Sequence, residues 1–302
     1  MTLAVTGGTG FVGQAVLDEA ERRQIPVRAL TRRVMTPRGG IEWVAGDLAD
    51  HAALAKLVSG AEAVLHIAGV VNAPDAAGFH AGNVAGTEAV VEAARAAGVQ
   101  QLVLVSSLAA REPGLSEYGK SKRLAEEAVQ TSGLDWTIVR PPAIYGPRDR
   151  EILELFKAAR WGVVPVPAKG RASIMHVDDL ARLVLALIPG GPAVKGRIFE
   201  PDDGQPGGRS HRELALAIGA AVGRKVRVPQ LSKRVLSGVS RLDRLFRGDK
   251  ARLTADRVGY MTHPDWVSRA ERAVPAEFWQ PWIATPAGLK DTAEWYRAHG
   301  WL

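Results

Sequence analysis

Residues 6–13 read TGGTGFVG: three glycines spaced three apart, closing the apolar run LAVT (3–6) and opening a helical pattern over 10–23. No other stretch constrains the fold as tightly. One glycine permits the tight turn, the next lets backbone approach an anionic group, and the last lets the helix pack close to the strand. Gly7, Gly10 and Gly13 fill these positions, with Thr9, Phe11 and Val12 between them. The helix N-terminus then faces the anion with free N–H groups, the arrangement that holds a dinucleotide's pyrophosphate. A strand-helix turn that binds nothing would read the same in isolation, so the rest of the chain decides.

Beyond the loop, strands and helices alternate. LAVT (3–6), VRAL (27–30), IEWVA (41–45), AVLHIA (63–68), LVLVS (102–106), WTIVR (136–140) and RIFE (197–200) are apolar runs of strand length. Helix-length segments such as 10–23, 51–58, 81–97 and 119–131 lie between them. Near-continuous apolar runs suit strands covered on both faces. The alternation predicts an α/β fold, a doubly wound parallel sheet of about seven strands with right-handed crossovers. The rhythm weakens after about residue 150. Residues 1–150, completed by 176–200, read as a nucleotide-binding domain; 151–175 and 201–302 read as a smaller C-terminal substrate lobe. The 302 residues include no cysteine, which excludes disulfides, thiolate metal sites and a cysteine nucleophile. No apolar run reaches the roughly 18 residues of a membrane span, and a first strand at residue 2 or 3 leaves no room for a signal peptide. The expectation is a cytoplasmic protein.

Dinucleotide sites usually carry Asp or Glu at the end of the second strand, on the adenosine ribose hydroxyls. Here that strand ends LTRR, so Thr31, Arg32 and Arg33 stand where the acid would be. A carboxylate repels a 2′-phosphate, whereas two guanidiniums can chelate it. The sequence therefore favours NADP(H) over NAD(H), with solvated surface arginines as the alternative. After the third strand comes GDL (46–48). Its Asp47, with Leu48 beside it, is placed to accept from the adenine amino group or else to cap the next helix.

Residues 118–122 read YGKSK, and Tyr118 and Lys122, four apart, share one face of a helix. The fifth strand ends VSS, which puts Ser106 and Ser107 at a strand's C-terminal end, where open α/β sheets bind ligands. Taken in order, TGGTGFVG, HIAG (66–69), NVAGT (83–87), VSS, YGKSK, RPPAIYGP (140–147), HVDDLA (176–181) and GLKDTAEWYRAHGWL (288–302) resemble the short-chain dehydrogenase/reductase superfamily. The resemblance is to its extended and atypical branches and covers nearly the whole chain. It implies a Rossmann fold and NADP-dependent oxidoreductase activity. It also implies Tyr118 as proton donor, with Lys122 as its activator and as holder of the nicotinamide ribose. Ser107 would donate to the substrate carbonyl, with Ser106 as the second choice. Asn83 would fix backbone beside the cofactor, Ala68 and Gly69 would lie against the adenosine side, and Pro141 and Ile144 would bracket the nicotinamide. The physical reasons are general: a nearby ammonium lowers a tyrosine's pKa, and a fixed donor stabilises developing negative charge. A protein that keeps the cofactor but has lost catalysis is the competing reading. His176 reads as structural or as a lobe contact, and Asp178 or Asp179 as a helix N-cap. No His/Asp/Glu cluster has metal-ligand spacing, so no metal is expected.

Ten residues separate Ser107 from Tyr118. Nucleotide-sugar epimerases and dehydratases usually have more there. The shorter spacing looks more like atypical members related to the respiratory complex I accessory subunit and to lipid or steroid ketone reductases. Residues 231–247, LSKRVLSGVSRLDRLFR, place Leu231, Val235, Val239, Leu242 and Phe246 on a helical stripe among cations. Over 231–252 seven Lys or Arg stand against two Asp, a net +5 out of the chain's +7. Such a helix either lies on an anionic membrane or packs in the lobe with a solvated face. Trp266, Trp279, Trp282, Trp295 and Trp301 read as the core of the small lobe. No nucleic-acid motif accompanies the charge. The leading reading is an NADPH-dependent reductase of a hydrophobic keto-lipid, of 3-keto-sphingoid or 3-oxo-ceramide type, at the cytoplasmic membrane face. A nucleotide-sugar epimerase or dehydratase and a non-catalytic NADPH-binding assembly protein are the alternatives. Dimer and monomer both remain open.

Overall fold

Seven short apolar runs form one parallel sheet in the computed structural model, which describes residues 2–248 and 253–302. Asp249, Lys250 and Arg252 of the basic stretch lie outside the described residues. The strands are β1 (Leu3–Thr6), β2 (Val27–Thr31), β3 (Ile41–Ala45), β4 (Ala63–His66), β5 (Gln101–Val105), β6 (Asp135–Val139) and an edge strand, Arg197–Phe199. Their order is edge strand, β6, β5, β4, β1, β2, β3. All neighbours are parallel, with Val5 opposite both Ala29 and Leu65. The strand order reverses between β1 and β4, and the loops leaving these two strands open the crevice where such sheets bind ligands. Central strands such as LAVT and AVLH are buried at every position, as their uninterrupted apolar sequence requires; edge strand β3 alternates.

The crossovers are α1 (Phe11–Arg22), α2 (His51–Val58), a short turn α3 (Ala76–Phe79) and α4 (Gly86–Ala96); α5 (Glu117–Gln130) follows β5. A π-helical turn, His80–Ala85, joins α3 to α4. Leu54, Leu57, Val64, Val90, Leu104 and Ile138 form the core between sheet and helices. Each such side chain contributes roughly 1.5–3 kcal/mol on burial. Asp50, not Asp47, caps α2, accepting the Ala53 amide at 3.0 Å.

The chain divides into two compact units, Met1–Pro141 with Leu180–Glu200 and Arg272–Gln280, and Pro142–Asp179 with Pro201–Glu271 and Pro281–Leu302. Compared with the division drawn from sequence, the first unit ends at Pro141 rather than 150 and regains Arg272–Gln280 from the tail. The Glu200 amide donates to the Arg272 carbonyl at 2.8 Å, which ties that segment to the sheet edge.

In the second unit, Ala143–Tyr145 runs parallel to Ile174–His176. Arg171–Ala172 pairs with Arg209–Ser210 and with Asp265–Trp266. Its core is built on Tyr145, Phe156, Ile174, Ile218, Leu289 and Tyr296. Of the five tryptophans expected to form that core, only Trp295 and Trp301 pack against it. Trp295 and Trp301 flank Tyr296, Trp266 lies on Tyr260, Trp282 is exposed and Trp279 belongs to the first unit.

Candidate active site

At Gly7 and Gly13 the glycine loop leaves no space for a side chain. Gly7 sits at φ +76°, and a Cβ there would lie 2.6 Å from the Ala68 amide nitrogen. A Cβ on Gly13 would lie 2.0 Å from the Gly7 carbonyl oxygen, well inside contact distance. These approaches bring the β1 and β4 loops together and place the start of α1 directly on the end of β1. Gly10 is the N-cap of α1 and offers no side-chain cap, and the first turn holds no acid. The amides of Phe11, Val12 and Gly13 therefore lack a side-chain partner, and Thr9 and Gly10 are exposed beside them. This donor set fits a pyrophosphate.

At the end of β2, buried Thr31 locks the turn, its hydroxyl accepting from the Arg33 amide at 3.1 Å and donating to the Arg33 carbonyl at 3.0 Å. Arg32 and Arg33 are exposed, and neither pairs with an acid among the described residues. Asp47 is exposed, with one oxygen on the Ala49 amide at 2.9 Å. Leu48 is half-buried and packs where a Cβ on Gly86 would fall.

Behind the loop, a chain of hydrogen bonds fixes the next layer. The Thr87 hydroxyl donates to the Asn83 carbonyl at 2.6 Å, so it accepts from Nε2–H of His66 at 3.0 Å. His66 Nδ1 then accepts from Thr6 at 2.6 Å. Burial, helped by the Lys122 charge, pulls His66 down to about 3 and keeps it neutral. Asn83 holds the Val70 peptide from both sides, accepting its amide at 2.8 Å and donating to its carbonyl at 2.9 Å. Its second N–H reaches Ser121 at 2.9 Å, and Ser121 donates to the Tyr118 carbonyl at 2.8 Å. Asn83 lies on the π-helical turn. A Cβ on Gly69 would lie 2.8 Å from Asn83 Oδ1 and 3.4 Å from Lys122 Nζ, so these three residues meet at one point.

Ser116 caps α5, accepting the Gly119 amide at 2.9 Å. Gly119 lets α5 rest on the 3-10 turn Leu108–Arg111, where a Cβ would lie 2.7 Å from the Ala109 carbonyl. That contact seats the Tyr118–Lys122 helix beside the turn capped by Ser107. Tyr118 is half-buried, with the Phe79 ring centroid 6.1 Å from its own. Lys122 is buried and donates to the Val105 carbonyl at 3.1 Å. Burial lowers its pKa to about 8, and the Glu126 carboxylate opposes that fall. The two serines part company here. Ser106 donates to Glu126 Oε1 at 2.6 Å, whereas among the described residues the Ser107 hydroxyl only accepts, from the Ala109 amide at 3.2 Å, which leaves its proton for another group.

The sequence reading passed over the buried ions beneath these residues. Arg140 makes a two-point pair with Glu126, at 2.8 and 2.6 Å, and reaches Glu200 at 3.4 Å. Arg111 joins Glu200 at 3.3 Å. A signal was present: Glu126 follows Lys122 by four residues and so shares its helix face. Pro141 closes the first unit, and Ile144 lies on the strand Ala143–Tyr145 of the second. There His176 is buried edge-on to Tyr145 and accepts the Asp178 amide at 3.2 Å, a structural role. Asp179 is no N-cap; its carboxylate takes the Trp282 and Ile283 amides at 3.1 and 3.0 Å.

A family model described as NAD(P)H-binding matches residues 7–188. A ceramide reductase of Caulobacter vibrioides is 37% identical over 319 aligned positions, spanning 99% of this chain and 96% of that protein. A 2-alkyl-3-oxoalkanoate reductase of Stenotrophomonas maltophilia is 31% identical over 259 positions, 74% of this chain and 76% of that one. Among solved structures, DesIV, a dTDP-glucose 4,6-dehydratase of Streptomyces venezuelae with NAD bound, superposes with a TM-score of 0.74 at 22% identity. It covers 100% of this chain and 98% of its own, and the likeness is one of fold.

Proposed function

The chain belongs to the NAD(P)H-binding family, and from this premise we propose that it is a short-chain dehydrogenase/reductase of the extended or atypical type that reduces the ketone of a long-chain oxo-lipid with NADPH. That it is an NAD(P)(H)-dependent oxidoreductase follows from the family. The substrate class is our reading. The observation that carries it is the end-to-end similarity to a protein named ceramide reductase. A 3-oxo-ceramide or 3-keto-sphingoid base is the specific substrate assigned. A molecule of that kind resides in a bilayer, so the reading places the enzyme at a membrane surface. Among the described residues no helix is long and apolar enough to cross a membrane.

Gly7, Gly10 and Gly13, with Thr9, Phe11 and Val12, hold the pyrophosphate. Thr31 fixes the turn that presents Arg32 and Arg33 to a 2′-phosphate, which supports NADPH over NADH. Asp47 and Leu48 take the adenine, Ala68 and Gly69 the adenosine side, and Pro141 and Ile144 the nicotinamide. When bound, the reduced nicotinamide supplies the hydride. Ser107 donates to the ketone oxygen, and Tyr118 delivers the proton that completes the alcohol. Lys122, largely protonated at neutral pH, stabilises the tyrosinate left behind until water reprotonates it. Asn83 keeps the Val70 backbone and Lys122 in register.

The test is NADPH oxidation by the full chain with 3-oxo-ceramide in mixed micelles, NADH and Tyr118→Phe alongside. Turnover with NADPH that falls by about 10²–10⁴ in the variant supports the assignment. Tight NADPH binding without turnover refutes it. Turnover with a nucleotide sugar instead moves the chain to the epimerase or dehydratase reading.

A further inference from the structure

We propose that the helix Lys233–Arg247 docks the protein on an anionic phospholipid surface. The inference deepens the oxo-lipid reading and rests on it for its use, not for its geometry. The helix is seated along one face, where Leu236 and Ser240 are buried and the Asp243 carboxylate accepts the Leu253 amide at 2.9 Å. Elsewhere it presents an apolar row to solvent. Val235, Val239, Leu242 and Phe246 recur at intervals of four, three and four and so form one stripe, with Leu245 beside it. These five are between 46% and 82% exposed. An exposed helix face is ordinarily polar, and contiguous apolar rows mark contact surfaces.

The charges select the occupant. Lys233, Arg234 and Arg241 are exposed and pair with no acid among the described residues, while Arg247 leans on Asp243 at 3.4 Å. By their spacing of seven, Arg234 and Arg241 line one edge of the apolar stripe. Their aliphatic stems can lie along an acyl boundary while the guanidiniums reach lipid phosphates. A second copy of the chain would bring the same cations to the same stripe. A neutral apolar partner would leave them unpaired. An anionic bilayer satisfies both rows at once.

The test sediments the full chain with phosphatidylcholine vesicles, plain or containing about one third phosphatidylglycerol. Expected is binding to the anionic vesicles that weakens with salt and falls at least about tenfold in Leu242→Glu/Phe246→Glu. Both positions are solvent-exposed, so the variant's thermal midpoint and NADPH binding stay at wild-type values and report that it is folded. Wild-type protein left in the supernatant, or a variant that binds as well as wild type, overturns the proposal. A wild-type dimer that the variant converts to monomer, without vesicle binding by either, overturns it in favour of a second copy. Oxo-ceramide turnover in detergent micelles is read separately: vesicle binding without turnover sinks the substrate reading and leaves the docking helix standing.

Discussion

Replacing Lys122 with methionine should abolish turnover and make the protein more stable. In the fold the ammonium is buried and its pKa falls from 10.5 to about 8. At neutral pH the native state therefore carries a charge it disfavours by about 3 kcal/mol, at about 1.4 kcal/mol per pKa unit. Methionine keeps the apolar stem without the charge. It leaves the Val105 carbonyl without its 3.1 Å partner, a loss of about 1 kcal/mol. The net expectation at pH 7 is a gain of about 2 kcal/mol, or roughly 5 °C in the midpoint of a unit this size. The pH dependence is the sharper check. The native lysine loses its proton near pH 8 and the unfolded chain near 10.5, so between these values the unfolded state binds more protons and wild-type stability rises with pH. Methionine has no such term. The gap between variant and wild type should be nearly closed by about pH 9.5. Thermal melts of both proteins at a series of pH values measure it, and differencing cancels the titrating groups that do not interact with Lys122. A gap that stays constant with pH, or a wild type more stable than the variant at pH 7, refutes the reasoning.

Gly13→Ala places a Cβ 2.0 Å from the Gly7 carbonyl oxygen, so α1 must shift; a loss of about 1–3 kcal/mol and of measurable NADPH binding is expected in melts and cofactor titration. Arg32→Ala with Arg33→Ala should raise KM for NADPH by about 10–100-fold and leave that for NADH within a factor of about three, since only the 2′-phosphate loses charge-assisted bonds; equal effects on both cofactors would sink the assignment. Glu126→Gln strips the two-point partner from buried Arg140 and should cost about 3–5 kcal/mol in urea unfolding, with Arg140→Met in the same chain recovering part of it.

The strand alternation and the glycine spacing were legible because they are local. A parallel sheet covered on both faces demands uninterrupted apolar runs, and a strand-helix turn this tight demands glycine where a Cβ would strike backbone. All seven sheet strands were therefore visible in order, and so was the tight turn between β1 and α1. The Tyr118–Lys122 spacing was visible for the same reason, since a four-residue interval fixes a helix face.

Contacts distant in sequence were decided by the tertiary structure. Residues 106 and 107 are both serine, and sequence gave no ground of its own for separating them. Packing did, by spending the Ser106 proton on Glu126, twenty residues away, and leaving that of Ser107 free. The ion cluster of Glu126, Arg140 and Glu200 joins a helix to two strand ends, so no window of sequence contains it. Asp179, placed like a cap, was taken by amides about a hundred residues on. The stripe on Lys233–Arg247 makes the same point: periodicity determined that the helix would have an apolar face, and only the packing of the rest of the chain decided that much of it would meet solvent.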